Sequence, residues 1–389
     1  MKKKYSIALI FSGDFPEGNT KNSRLKSLGL RAKEEGWNVK FVTLYPYQFS
    51  NSHGYDQMNE WNNIQVTQLS FGKKYFTTRL WRFFQVLTGI IALPFYLIFN
   101  LRSFKFFYFY NPRFLDTMLG LLTLKLFDKT VIIDQTELYS SNPENKKRIH
   151  LIEEHIIAHK ANVLFCISDK IFDHYRAIRD SQKVMYKLPI MVSLIRFKEL
   201  VKEKPFLIGY VGSYAIKDGL DNLLKGFQLA KLKLPHLKLR LIGHNPISSE
   251  LRNRCEELGL SEDVQITGTV RYNEIPRLLK ECDSLIMNRN DSQFARYGYP
   301  VKLGEYFASN RTVLMSDIDG FSNDFENGNQ AFLYTPDDPV SLSNSIRYRY
   351  KNKDEAHAVA NRGYSHAQEY YDEKKVTSFF INTLKQIPV

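Results

Sequence analysis

The chain is 389 residues long and has only three cysteines, Cys166, Cys255 and Cys282. Odd in number and widely spaced, they indicate neither a disulfide framework nor a cysteine zinc site, and a reducing cytoplasm fits best. No Gly-x-Gly-x-x-Gly follows a strand-like run, and there is no P-loop. Hydride transfer on a dinucleotide and P-loop ATPase chemistry are therefore not indicated. Low-complexity tracts and short-period repeats are missing, so neither a solenoid nor a long disordered linker is expected. Long apolar runs are missing too, with one exception. Phe83 to Leu101 is nineteen residues without a charge, bounded by Arg82 and Arg102.

What is present is a hydrophobic content of 43%, enough for a large buried core. The net charge of +13 is uneven: residues 1–200 carry 29 basic and 17 acidic side chains, residues 201–389 carry 25 and 24. A basic first half joined to a neutral second half implies two modules with different partners. The basic excess is spread over 200 residues rather than gathered in a recognisable motif, which argues against nucleic acid as a partner.

Short apolar runs alternate with longer helical patterns. Strands are expected at 5–11, 39–44, 64–69, 106–110, 130–134, 163–167 and 184–188. A second series is expected at 206–211, 237–242, 264–267, 284–287, 312–315 and 331–334. Helices are expected at 20–35, 219–233, 248–258, 273–281, 300–309 and 338–350, with a helical stretch over 355–387; Gly36 is a natural stop for the first. The opening run Tyr5–Phe11 reads as a buried strand, because no small-x-small cleavage site follows it. This alternation predicts α/β architecture with parallel sheets covered by helices on both faces. The apolar pattern breaks at Arg196–Pro205, which divides two βαβ domains. Open α/β sheets bind ligands at their strand carboxyl ends.

The run Phe83–Leu101 is long enough to cross a bilayer. A crossing would place the strands before and after it on opposite sides of the membrane, so a buried crossover helix is the preferred reading. An interfacial helix is the alternative, supported by the basic and aromatic fringe of Lys73, Lys74, Arg79, Trp81, Arg82, Arg102 and Lys105.

The second half holds the best candidates for chemistry. Lys217 lies between a strand and a helix, flanked by Gly212 and Gly219, which permit close backbone approach of an anion near a helix N-terminus. An ammonium there can neutralise a diphosphate, although a solvated loop lysine has the same appearance. The stretch from Arg289 to Ala308 leads through Pro300 into a helix whose first turn holds Lys302. A cation is disfavoured there by the helix dipole unless an anion docks beside it. Glu305 shares the face of Lys302 and can accept from a ribose diol; an ordinary surface Lys–Glu pair is the plainer reading. In the first half, Glu137 follows a strand end. His150, His155 and His159 share one helical pattern and read as a surface stripe rather than as metal ligands.

The block Tyr297-Gly-Tyr-Pro-Val-Lys-Leu-Gly-Glu-Tyr-Phe-Ala308, followed by Thr312-Val-Leu-Met-Ser-Asp317, resembles the donor-site signature of retaining glycosyltransferases of family 4. The resemblance is to the branch acting in bacterial surface polysaccharide biosynthesis. Asp14-Phe-Pro-Glu-Gly18 with Asn22-Ser-Arg24, Phe165–Ser168, Leu188–Val192 with Arg196-Phe197, and Tyr210–Tyr214 with Lys217-Asp-Gly219 fall in the same order. The resemblance implies a GT-B fold of two Rossmann-like domains: residues 1–196 for the acceptor, 197–370 for the nucleotide-sugar, and 371–389 as a helix packing back on the first. It implies metal-independent transfer with retention and no cofactor beyond the nucleotide-sugar. Carried over by position, Lys217 with Arg289 or Lys302 contacts the diphosphate, and Glu305 holds the ribose. Gly18 approaches the donor phosphates, while Arg24 and Glu137 face a sugar. Lys217, Glu305 and Glu137 are then catalytic. Gly18, Arg24, Gly212, Ser213, Arg289, Tyr299, Pro300 and Lys302 bind substrate. The implied setting is the cytoplasmic face of the plasma membrane, with a polyprenyl-linked glycan acceptor and an anionic membrane surface as partners. Ser213 stands where many members have arginine, and Tyr297 where the first of a glutamate pair stands. Two other readings therefore remain, a GT-B nucleotide-sugar epimerase and a catalytically silent membrane or glycan-binding partner.

Overall fold

A computed structural model describes residues 5–13, 15–16, 20–44, 60–72, 78–113, 116–142, 147–197, 206–243, 248–320 and 322–387. The chain forms two compact units, Met1–Pro189 with Val376–Val389, and Ile190–Lys375. The division falls at Pro189/Ile190 rather than at 196/197, and the return to the first unit comes at Val376 rather than at 371.

The first unit is built on β1 (Ser6–Phe11), β2 (Asn38–Thr43), β3 (Glu60–Trp61), β4 (Ile64–Gln68), β5 (Phe106–Tyr110), β6 (Thr130–Gln135), β7 (Val163–Cys166) and β8 (Val184–Lys187). They form one sheet in the order β3-β4-β2-β1-β5-β6-β7-β8. Every neighbouring pair is parallel except the two-residue β3 against β4. In the central register Leu9 of β1 faces Phe41 of β2 on one side and Tyr108 of β5 on the other. Ile7 to Phe11 are buried without a break, as expected of a parallel strand covered on both faces. The helices are α1 (Thr20–Glu34), α2 (Arg79–Phe99), α3 (Met118–Leu126), α4 (Lys147–Lys160) and α5 (Asp169–Ile178). Gly36 ends the first at φ +77°, a conformation that an L side chain resists.

The run Phe83–Leu101 does form a crossover helix, α2, between β4 and β5, but the expectation of burial is corrected. Only Gln85, Gly89, Leu93 and Leu97 lie inside. They recur every four residues, so a single narrow stripe meets the sheet. Gly89 is pressed so close to the Leu44 carbonyl that a Cβ would lie 2.2 Å from its oxygen. The other faces carry exposed Leu, Trp, Phe and Ile.

The second unit has β9 (Leu207–Val211), β10 (Lys238–Ile242), β11 (Val264–Ile266), β12 (Ser284–Met287), β13 (Thr312–Ser316) and β14 (Phe332–Tyr334). They pair in parallel in the order β11-β10-β9-β12-β13-β14. Its helices are α6 (Leu220–Lys231), α7 (Ser248–Glu257), α8 (Ile275–Lys280), α9 (Gln293–Tyr297), α10 (Lys302–Ala308), α11 (Pro339–Lys351) and α12 (Lys353–His366). The start of α11 shows how sequence sets a boundary. Asp338 accepts from the amides of Val340 (2.9 Å) and Ser341 (3.1 Å), with Pro339 in the first position. Gly226 lets α6 approach α11, since a Cβ there would meet Leu342 at 2.7 Å. The last helix, α13 (Glu373–Gln386), enters the first unit. Phe380 packs edge-on against Tyr108 and at a tilt of 47° against Phe165, and Lys385 pairs with Glu35 at 2.9 Å.

Candidate functional site

The second sheet runs outward in both directions from β9 and β12, so its topological switch point lies between these two strands. Ligands of open α/β sheets bind at the carboxyl ends of such strands. Gly212 follows β9 and Arg289 follows β12 at that edge. The turn Ile216–Asp218 completes it, held by the Asn288 side-chain amide, which donates to the carbonyls of Asp218 (2.7 Å) and Gly219 (2.8 Å). Asn290 adds a backbone bond to the Lys217 carbonyl at 3.0 Å. Gly219 enters α6 at φ +55°, and Gly243 passes so near Gly212 that a Cβ would lie 1.9 Å from its carbonyl oxygen.

Two cations meet one carboxylate in this edge, and a third lies beside them. Lys302 Nζ donates to Asp218 Oδ1 at 3.0 Å and to the Tyr210 hydroxyl at 3.1 Å. Arg289 is 5% exposed, its Nε 4.0 Å from the same Asp218 oxygen. Lys217 Nζ lies over the Phe294 ring, 4.4 Å from its centroid. Lys217 Nζ and Arg289 Nη1 both fall within 4 Å of the point where a side chain on Gly298 would begin, at 3.9 and 3.7 Å. A Cβ on Gly212 would come within 2.9 Å of Lys302 Nζ. Burial, against the pull of Asp218, brings the Lys302 ammonium down to about 8. Burial works to raise the Asp218 carboxyl, but Lys302 and Arg289 overcome it and hold the group below its usual range. Among the described residues Arg289 Nε and Nη1 have no hydrogen-bond partner although they are buried. A buried guanidinium with idle N–H groups is costly unless an anion completes it. Lys217, Arg289, Lys302 and Gly212 are thus brought together, and Ser213 is exposed beside them.

Glu305 and Lys302 do not form the surface pair that their spacing allows. Glu305 Oε1 accepts from Arg196 Nη1 at 3.1 Å, and the Arg196 guanidinium lies 3.7 Å from the centre of the Tyr272 ring. Burial raises the Glu305 carboxyl above its usual range, with Arg196 opposing. Tyr299 is engaged within the protein. Its hydroxyl donates to Asp324 (2.8 Å) and shares a 2.6 Å bond with the Tyr371 hydroxyl, in the interior of the unit. Pro300 is buried in the turn before α10, its carbonyl accepting from the Leu303 amide.

In the first unit Arg24 is likewise engaged within the protein. It is 6% exposed; its guanidinium donates to both oxygens of buried Asp134 at 2.6 and 3.1 Å, to the Pro189 carbonyl at 2.6 Å and to the Leu188 carbonyl at 2.9 Å. Four bonds use nearly all its donors and fasten α1 to β6 and the end of the unit. Glu137 stands half-buried beyond the end of β6, near Tyr110 and Tyr139. Gly18 lies outside the described residues. His150 pairs with Glu153 at 2.5 Å, and no group of three potential metal ligands occurs among the described residues. Asp218 and Arg196 carry no assigned role in the sequence reading. The only signal for Asp218 is its position between Lys217 and a glycine at a strand–helix turn.

Residues 192–366, nearly the whole second unit, match the family model of glycosyl transferases group 1. The chain matches no curated protein sequence. Among solved structures it is similar to a sucrose-phosphate synthase from Thermosynechococcus elongatus, at 14% identity and TM-score 0.78, covering 98% of this chain and 99% of that one. It is also similar to HepE from Anabaena in complex with UDP and glucose, at 15% identity and TM-score 0.76, covering 97% and 99%. WaaG, a glycosyltransferase involved in lipopolysaccharide biosynthesis, matches at 14% and TM-score 0.70, over 96% and 99%. The fold is therefore that of the GT-B glycosyltransferases, and the group 1 glycosyl transferase model matches within the second unit.

Proposed function

We propose that this chain transfers a sugar from a nucleoside-diphosphate sugar to a lipid-linked glycan, with retention of anomeric configuration, at the cytoplasmic face of a membrane. The observation that supports the donor half is the cluster of Lys217, Arg289 and Lys302, two of them set against one buried carboxylate, with idle N–H groups on Arg289. A diphosphate would accept from Arg289 and draw on Lys217 and Lys302. As the bond from the sugar carbon to the diphosphate oxygen breaks, that oxygen takes the electron pair and the same cations stabilise it. The acceptor hydroxyl oxygen then bonds to the sugar carbon from the face the diphosphate leaves, and its proton passes to the departing diphosphate oxygen. Glu305, turned by Arg196, would accept from the ribose diol, and Glu137 would serve the acceptor side.

Metal independence follows in this reading because side-chain cations supply the charge that a divalent ion would otherwise bring. A lone carboxylate already held by two cations is also a poor donor set for such an ion. The acceptor class and the cellular setting rest on the resemblance to surface-polysaccharide enzymes and on the basic first unit.

The test is a thermal-shift titration with UDP, GDP, CMP and dTDP on the wild type and on Lys217→Ala. One nucleotide at 100 times its dissociation constant should stabilise the wild type by about 2.7 kcal/mol, and Lys217→Ala should lose most of that gain. Stabilisation by none of them returns the silent-partner reading. A nucleotide-sugar converted without acceptor returns the epimerase. Product anomeric configuration by NMR and turnover in EDTA then test retention and metal independence.

A further inference from the structure

The outward face of α2 has no use in the chemistry above. Ile91, Phe95 and Phe99 lie two positions from the buried Gly89, Leu93 and Leu97, about 200° around the helix, and so point away from the sheet. Phe99 is 84% exposed, Phe95 59% and Ile91 49%. Toward the start of the helix Leu80 is 64% exposed, Trp81 56% and Phe83 60%. A contiguous apolar face of this kind marks an interaction site on a water-soluble unit. The adjoining α3, which packs on α2 through Gly120 against Leu93 and Leu97, exposes Leu119 and Leu126 as well.

Charge identifies the partner. From residue 61 to residue 115 the chain has seven basic side chains and no Asp or Glu. Arg79 and Arg82 stand at one end of the helix, Arg102 and Lys105 beyond the other. A basic rim around an apolar helix matches anionic headgroups over acyl chains. A second copy of the chain would instead bring like charges together across the contact.

The helix is long and apolar enough to cross a bilayer, but β4 before it and β5 after it belong to one sheet. A single crossing would put those strands on opposite sides. We propose that α2 lies in the plane of an anionic membrane surface, its outer face sunk into the boundary between headgroups and acyl chains. This rests on the membrane-face reading for its choice of partner and deepens it by naming the docking element.

The experiment uses the full chain with phosphatidylcholine vesicles, with and without phosphatidylglycerol, and acyl-brominated lipid as a quencher of Trp81. The expected result is binding that needs phosphatidylglycerol, with fluorescence quenching that Trp81→Phe removes. Phe95→Glu combined with Phe99→Glu should weaken partitioning by about tenfold or more, while the nucleotide-induced thermal shift stays at its wild-type value. That unchanged shift shows the variant folded and separates this proposal from the donor-site reading. Absence of vesicle binding overturns it. So does binding without quenching that the double variant leaves intact, since that is surface charge alone. Sedimentation showing a dimer that the double variant dissociates also overturns it, because the face would then be covered by a second copy.

Discussion

Each unit sets an arginine against an aspartate near the carboxyl end of its parallel sheet, and the two encounters end differently. Arg24 meets Asp134 with two bonds, gives its other donors to two carbonyls, and is closed. Burial works against its charge, yet Asp134 holds the guanidinium above its usual range. Arg289 meets Asp218 only at 4.0 Å, while Lys302 holds the same carboxylate oxygen at 3.0 Å. Its Nε and Nη1 are left unmatched. The residue types are the same, but the ratio of cation to anion is not. One to one makes a structural fastener; two cations on one carboxylate, with Lys217 beside them, make a seat for an anion.

The largest effect that would break this comparison is on the fastener. Arg24→Ala leaves buried Asp134 with the Tyr108 hydroxyl and no cation, and should lower stability by about 3–5 kcal/mol. Urea denaturation measures it. At temperatures where the variant is folded, nucleotide affinity should be unchanged; a lost affinity would return Arg24 to the site.

The next effect sharpens the role of Lys302. Its ammonium, lowered to about 8 by burial against the pull of Asp218, is charged below that pH and neutral above it. A diphosphate binds the charged form, so affinity is full below pH 8 and falls as pH rises through it, by up to about tenfold per pH unit. Isothermal titration across pH 7 to 9 should follow that course, and Lys302→Met should flatten it.

The smallest effect concerns Glu305. If it accepts from the ribose diol, the wild type should prefer a ribonucleoside diphosphate over its 2′-deoxy analogue by about fivefold, one hydrogen bond's worth. Glu305→Gln should narrow the gap, read by competition binding. An unchanged preference would leave Glu305 with only its structural bond to Arg196.

Much of the scaffold is legible in the chain because parallel strands buried on both faces read as unbroken apolar runs. Phe106–Tyr110 and Ser284–Met287 appear with the expected ends. The two-residue β3 has no such run, and α3 and α5 lie between strands without a pattern that singles them out. The charged stretch read as the domain break lies mostly beyond the described residues. Partnership is what composition hides. Arg24 finds Asp134 across 110 positions, and Tyr299 finds Tyr371 across 72, so a motif residue could not be told from a fastener. The cluster at Lys217, Arg289 and Lys302 was legible as separate candidates; its counter-charge, Asp218, was not. For α2 the sequence showed an apolar helix, but which face the sheet covers depends on Gly89 and Leu93 meeting their neighbours.

The most direct test of the central claim compares a nucleoside with its diphosphate in the wild type and in Arg289→Met. Calorimetric titration of both ligands against both proteins isolates what Arg289 gives to the diphosphate alone. The account predicts a large affinity gap between the two ligands in the wild type. In Arg289→Met that gap should shrink by about 100-fold, two charge-assisted hydrogen bonds' worth, with nucleoside affinity and folding stability little changed. An equal gap in both proteins would contradict it, and would make the unmatched guanidinium a structural cost with no ligand to offset it.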